Sequence, residues 1–167
     1  MGVINTLARI VGFRGNTHQS ISAPRKSEHI NKKSYPAAYS IMRPRFGFRD
    51  DVGIEFRSKM EANVYRFYKY LEKERGRIKV EYEPKLFTFP SGGDNRFNIN
   101  GYIPDLEITS DHGVLYIEVK GSLSDKDREK TRLISKYHPG IKIFFVFPEQ
   151  YRDIQKCYAK YIPNWEY

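Results

Sequence analysis

The chain has 167 residues, 40% of them hydrophobic and 29% charged, with a formal charge of +9 at neutral pH. That length suits one domain with an appended segment and excludes a multidomain assembly. No apolar run approaches the roughly 18–20 residues that a membrane-spanning helix needs, so no membrane partner is expected.

The charge is unevenly placed. Residues 1–50 carry nine Lys or Arg against two acids, +7 of the total, whereas residues 51–167 have the mixed signs of an ordinary folded surface. We therefore read 1–50 as a basic, flexible arm and 51–167 as the folded domain. Such an arm is drawn to a polyanion such as nucleic acid. Its last stretch, Arg43-Pro-Arg45-Phe-Gly-Phe-Arg49, interleaves cations and rings; that pattern suits clamping a nucleic-acid backbone and equally suits docking on the domain. The opening MGVINTLARIVGFRG has no basic n-region, so no secretory signal is expected. A single cysteine, Cys157, excludes an intramolecular disulfide and points to a reducing, cytoplasmic setting.

In chain order, the first strong helix is predicted from Ser58 to about Glu74, with Met60, Val64, Phe67, Tyr68 and Leu71 on one buried stripe and Arg75-Gly76 as the stop. A strand-like stretch, Ile78 to Phe89, is broken by Pro84. Ser91 to Asn100 reads as a polar surface loop. Gly101–Thr109 and Val114–Lys120 follow as two strands joined by a turn over Ser110–Gly113. Ser124 caps a second helix that buries Leu133, Ile134 and Tyr137 and stops at His138-Pro-Gly140. The apolar run Ile141–Phe147 is expected in the centre of the sheet, and Glu149–Lys160 as a last helix before Trp165. The order describes a mixed α/β fold, a mixed sheet covered by helices.

The chemistry concentrates on the hairpin. Strand alternation puts Leu115, Ile117 and Val119 on one face and Val114, Tyr116, Glu118 and Lys120 on the other. If the hairpin closes symmetrically about Asp111-His112, Asp105 lies directly opposite Glu118. Opposed strand residues have β-carbons about 4.5–5.5 Å apart, so two carboxylates there repel unless a cation or a proton lies between them. A divalent ion resolves the conflict, because carboxylates, water and substrate phosphate are the ligands Mg²⁺ prefers. Lys120 would then orient or activate an attacking water. The bland reading of Glu-x-Lys on a strand is a solvated ion pair, and a one-residue slip in register would separate the carboxylates. Glu61 has two readings: Ser58-x-x-Glu61 is a capping box, and the same residue borders the buried stripe, from which it could reach the sheet. The four histidines, His18, His29, His112 and His138, show no metal-ligand spacing, and no Ser/His/Asp triad or phosphate-cradling glycine loop is present.

Pro104-Asp105 followed by Glu118-Val-Lys120-Gly121 resembles the PD-(D/E)XK nuclease signature, and more specifically the phage endonuclease I family of Holliday-junction-resolving enzymes. The resemblance spans most of the chain after residue 55: Phe56-Arg-Ser58 with Glu61, Glu81-Tyr-Glu83, Tyr102-Ile-Pro-Asp105, Ser124-x-x-Asp127-Arg128, His138-Pro139, Val146-Phe147, and Ile162-Pro163 with Trp165-Glu166. It implies a restriction-endonuclease-like fold: a central mixed β-sheet flanked by α-helices. It also implies Asp105, Glu118 and Glu61 as metal ligands, Lys120 as the catalytic lysine, Mg²⁺ as cofactor with Mn²⁺ as its substitute, and a homodimer acting on branched DNA. The chain departs from the family in its N-terminal segment of about 50 residues and its enlarged 91–100 loop. Arg43, Arg45, Arg49, Arg57, Lys126, Arg128 and Lys130 are the candidate DNA-binding cations. Duplex nicking, RNA cleavage and non-catalytic DNA binding are the alternatives.

Overall fold

The computed structural model describes residues 46–91 and 95–167. They form a mixed α/β fold in which a four-stranded sheet is covered by three α-helices, and two short ribbons flank it. The chain begins with a two-stranded ribbon, β1 (Gly47–Arg49) and β2 (Ile54–Phe56), so the described fold starts on the arm's side of residue 51. Helix α1 (Lys59–Arg75) follows, then β3 (Ile78–Tyr82). A second ribbon pairs β4 (Phe87–Thr88) with β5 (Gly101–Tyr102). The hairpin of β6 (Leu106–Ser110) and β7 (Gly113–Val119) leads through α2 (Asp125–Tyr137) to β8 (Ile143–Val146). The chain ends with α3 (Pro148–Tyr158) and a 3₁₀ turn, Ala159–Tyr161.

The sheet order is β3-β6-β7-β8. The first three strands are antiparallel neighbours, and β8 joins β7 in parallel after the α2 crossover. This corrects one expectation, because among the described residues β8 is an edge strand and not a central one. Its apolar residues are explained by neighbours on its faces: Phe144 and Val146 pack with the core beneath α1 and α3, and Ile143 packs with the cluster beneath α2.

The two faces of β7 divide as alternation requires. Leu115, Ile117 and Val119 join the larger core with Phe67, Tyr68 and Leu71 of α1 and Ile154 of α3. Tyr116 faces the other way, into a smaller core with Phe87, Phe89, Tyr102, Leu133 and Ile134. The hairpin register matches the symmetric closure, since Leu106 opposes Ile117 and Ser110 opposes Gly113. Gly113 at φ 109° takes up the left-handed backbone that closes the two-residue turn.

Helix α1 is buried on more than the expected stripe: Ala62, Asn63, Tyr65 and Arg66 are covered as well. The cause is a polar clamp on its far side. Arg66 makes a bidentate pair with Asp51 (2.7 and 2.8 Å) and reaches Glu166 at 2.9 Å, while Asn63 donates to Tyr151 and to the Glu166 carbonyl. Arg49 closes the clamp through Nε and Nη2 to Glu166, at 2.9 and 3.0 Å. Arg49, expected to face DNA, is thus buried in the ion network that ties the first ribbon and the C-terminal segment to α1. In the loop after Ser91, Arg96, Phe97, Asn98 and Asn100 are exposed, as expected of a surface loop, but two residues turn inward. Asn95 and Ile99 are buried, and the Asn95 amide satisfies both the N–H and the C=O of Ile99 at 2.9 and 2.8 Å.

Candidate active site

Asp105 sits one residue before β6, where Pro104 ends the extended run from β5. Proline cannot donate to the ladder, so the break falls there. One step along the observed register from Leu106–Ile117 brings Asp105 opposite Glu118. The Asp105 carboxylate leans over the end of β7 and accepts the Val119 N–H through Oδ2 at 2.7 Å. Its other oxygen, Oδ1, accepts from Arg57 Nη2 at 2.7 Å.

Glu118 is buried, with Tyr102 O–H donating to its Oε2 at 2.7 Å and Lys120 Nζ 2.8 Å from its Oε1. Lys120 also lies 3.6 Å from Asp127, whose carboxylate completes the Ser124 capping box of α2. Burial disfavours the Lys120 ammonium, but Glu118, Asp127 and Asp105 outweigh it and hold its pKa above the ordinary value. In the metal-free chain the Lys120 side chain is thus held as an ammonium at neutral pH.

Glu61 reaches the same region from the first turn of α1. Ser58 accepts the Glu61 N–H at 3.1 Å, as a cap should, but the Glu61 carboxylate does not return to Ser58. It accepts instead from the Arg57 N–H at 3.1 Å and from Tyr82 O–H at 2.9 Å. Its second reading, a helix-borne acid directed at the sheet, describes the geometry better than the capping box.

Burial raises the Asp105 pKa most, and the neighbouring Glu118 and Glu61 raise it further, to about 8; the Val119 N–H and Arg57 only partly offset this. Three acids therefore share one low-dielectric corner. Their oxygens suit a hard cation, and Mg²⁺ is commonly held by one or two carboxylates together with waters and substrate phosphate. Among the described residues, no three or more His, Cys, Asp or Glu side chains are already arranged as a cage for an ion. Tyr82 and Arg57 bond oxygens of Glu61 and Asp105 here.

Glu118, Lys120, Arg57 and Lys130 line one cavity of about 490 Å³, with Leu86 and Ile103 on its apolar side. Lys126 and Arg128 are exposed on the first turns of α2, whereas Arg43 and Arg45 lie outside the described residues. Sequence reasoning missed three groups here. Tyr82 and Tyr102 each donate to a site carboxylate, and Glu83 takes Arg57 Nη2 at 3.0 Å. Glu83 has a left-handed backbone, φ 42°, unusual for a non-glycine residue; the Pro84 that follows was the available signal of a turn there. His138 takes a capping role, as expected, at the end of α2, and its Nε2 lies 3.0 Å from the Thr88 carbonyl.

Comparison with known proteins gives no identity: no family model, no curated protein and no solved structure matches the chain.

Proposed function

We propose that the protein is a metal-dependent endodeoxyribonuclease that hydrolyses phosphodiesters in branched DNA such as a four-way junction, with Mg²⁺ as its ion and Mn²⁺ as a substitute. The observation that carries this reading is the burial of Asp105 and Glu118 at adjoining strand ends beside Lys120 and Glu61. Burying two carboxylates side by side costs desolvation and mutual repulsion, which Arg57 at Asp105 and Lys120 at Glu118 have to offset in the metal-free chain. A bound Mg²⁺ supplies Lewis-acid stabilisation of the charge that builds on a phosphate under attack.

The chain's own groups have distinct tasks. Asp105, Glu118 and Glu61 provide oxygen ligands. Asp105 is fixed by the Val119 N–H, Glu118 by Tyr102 and Glu61 by Tyr82. Lys120, held charged by Glu118 and Asp127, donates to a phosphate oxygen or to the attacking water. Lys126, Arg128 and Lys130 bring phosphates to the cavity without reading bases, so affinity falls steeply with salt. Preference for junctions, and a homodimer presenting one site to each of two strands, extend the proposal on the strength of the sequence resemblance.

The second reading is a DNA-binding protein without catalysis, favoured by the absence of a pre-formed ligand cage among the described residues. Labelled four-way junction, linear duplex and RNA hairpin, each with Mg²⁺ or EDTA, separate the readings. The nuclease cuts the junction only with Mg²⁺. Intact junction under both conditions overturns nuclease activity, preferential cutting of the RNA hairpin overturns the substrate, and equal nicking of linear duplex overturns branch specificity.

A further inference from the structure

Resting on the metal-dependent reading, we infer that Arg57 is a built-in counter-ion of the acid cluster: a divalent ion must displace its guanidinium, which then becomes a phosphate-binding group of the loaded site. A single nitrogen, Nη2, lies 2.7 Å from Asp105 Oδ1, 3.0 Å from Glu83 Oε1 and 3.6 Å from Glu61 Oε1. It stands where three carboxylates converge, which is the position a cation takes among them.

The oxygen it holds matters most. Asp105 Oδ2 accepts the short bond from the Val119 N–H, which is fixed in the sheet, whereas the partner on Oδ1 is the movable Arg57 side chain, so an ion gains full access to Oδ1 only by displacing it. A divalent ion and a guanidinium drawn to one oxygen repel each other strongly at that distance. The two therefore compete.

Arg57 is also built to leave. It occupies the junction between β2 and α1, and its backbone is anchored independently of its side chain, by donation of its N–H to Glu61 Oε2 at 3.1 Å. The side chain is 57% exposed, whereas those of Asp105 and Glu61 are each 5% exposed, so the arginine can swing while the acids stay. The cavity it lines also holds Lys120 and Lys130, and a planar guanidinium released there matches the oxygens of a phosphate. Metal binding would thus free a DNA-binding group, and by linkage DNA would favour the loaded site.

The test measures Mn²⁺ binding to the full chain by electron paramagnetic resonance, alongside Mg²⁺-dependent junction cleavage. Arg57→Gln should bind Mn²⁺ about tenfold more tightly, because a competing charge has gone. Lys130→Gln removes a charge from the same cavity without releasing a site carboxylate, and should change affinity by less than about twofold. Arg57→Lys, which keeps the charge but not the fork, should fall between the wild type and Arg57→Gln and guards against a folding defect in the latter.

Cleavage should move the opposite way, dropping at least about tenfold in Arg57→Gln at saturating Mn²⁺ through loss of the phosphate contact. A merely structural bridge would not tighten metal binding while slowing cutting. Unchanged or weaker Mn²⁺ binding by Arg57→Gln, or an increase matched by Lys130→Gln, overturns the counter-ion role alone. Tighter binding with undiminished cutting overturns the phosphate role. A wild-type protein that neither binds Mn²⁺ nor cuts overturns the metal-dependent reading itself, and this inference with it.

Discussion

Replacing Asp105 with asparagine should make the metal-free protein more stable, although it deletes a charged hydrogen-bonding group from the interior. Asp105 is 3% exposed, and its pKa in the folded chain is about 8 against an ordinary 3.8. Between those values folding takes up a proton, so stability declines as pH rises from about 4 to about 8 and levels off above. At pH 7 the interval above the unfolded value is about 3 units, a ceiling of about 4 kcal/mol at 1.36 kcal/mol per unit. That value of about 8 already contains the lowering by Arg57 and by the Val119 N–H, whose donation the asparagine carbonyl can keep. We expect Asp105→Asn to gain stability in EDTA at pH 7, by no more than about 4 kcal/mol, with the gain shrinking towards pH 4. Urea unfolding at both pH values measures it. Mg²⁺ should stabilise the wild type and not the variant, and so shrink or reverse the gap. A variant less stable than wild type in EDTA at pH 7 would refute the claim that repulsion and burial outweigh the Arg57 pair.

Three further outcomes follow from the same geometry. Tyr102→Phe removes the hydroxyl that donates to Glu118, and should lower kcat about 10- to 100-fold while leaving junction affinity in EDTA unchanged, as measured by single-turnover cleavage and filter binding. Asp51 is held below its ordinary 3.8, foremost by the side-chain bond from Arg66, so its contribution is fully present above that value and is lost as pH falls through the lower folded value. Asp51→Asn should therefore cost about 1–2 kcal/mol at pH 7, with the cost falling as the medium is acidified below pH 4, read from urea midpoints. Ser58→Ala deletes the cap on the Glu61 N–H and should cost about 1 kcal/mol while also lowering cleavage, because the same turn aims Glu61; calorimetry and the nuclease assay check the two effects.

Local pattern carried the hairpin. The turn at Asp111-His112 and the alternation of Leu115, Ile117 and Val119 against Tyr116 and Glu118 determine both register and facing, and the structure repeats them. The Ser124 cap was equally legible, and Asp127, three residues on in the same turn, completes it as a capping box. What escaped was partner choice across the fold. Arg49 and Arg57 look alike in sequence, as basic residues near the arm. One is buried against Glu166, 117 positions away, and the other is shared among Glu61, Glu83 and Asp105. Glu61 shows the same limit, because its spacing from Ser58 predicts a cap and only the approach of Arg57 and Tyr82 redirects the carboxylate. The edge position of β8 was hidden for a related reason: hydrophobicity reports how well a strand's faces are covered, not which strands lie beside it.

The central claim is that Asp105 and Glu118 make a site that cuts DNA rather than one that only binds it. Asp105→Asn and Glu118→Gln should bind a labelled four-way junction in EDTA as tightly as the wild type, and in Mg²⁺ they should leave it whole while the wild type makes paired incisions. Cleavage by either variant at the wild-type rate would contradict the account.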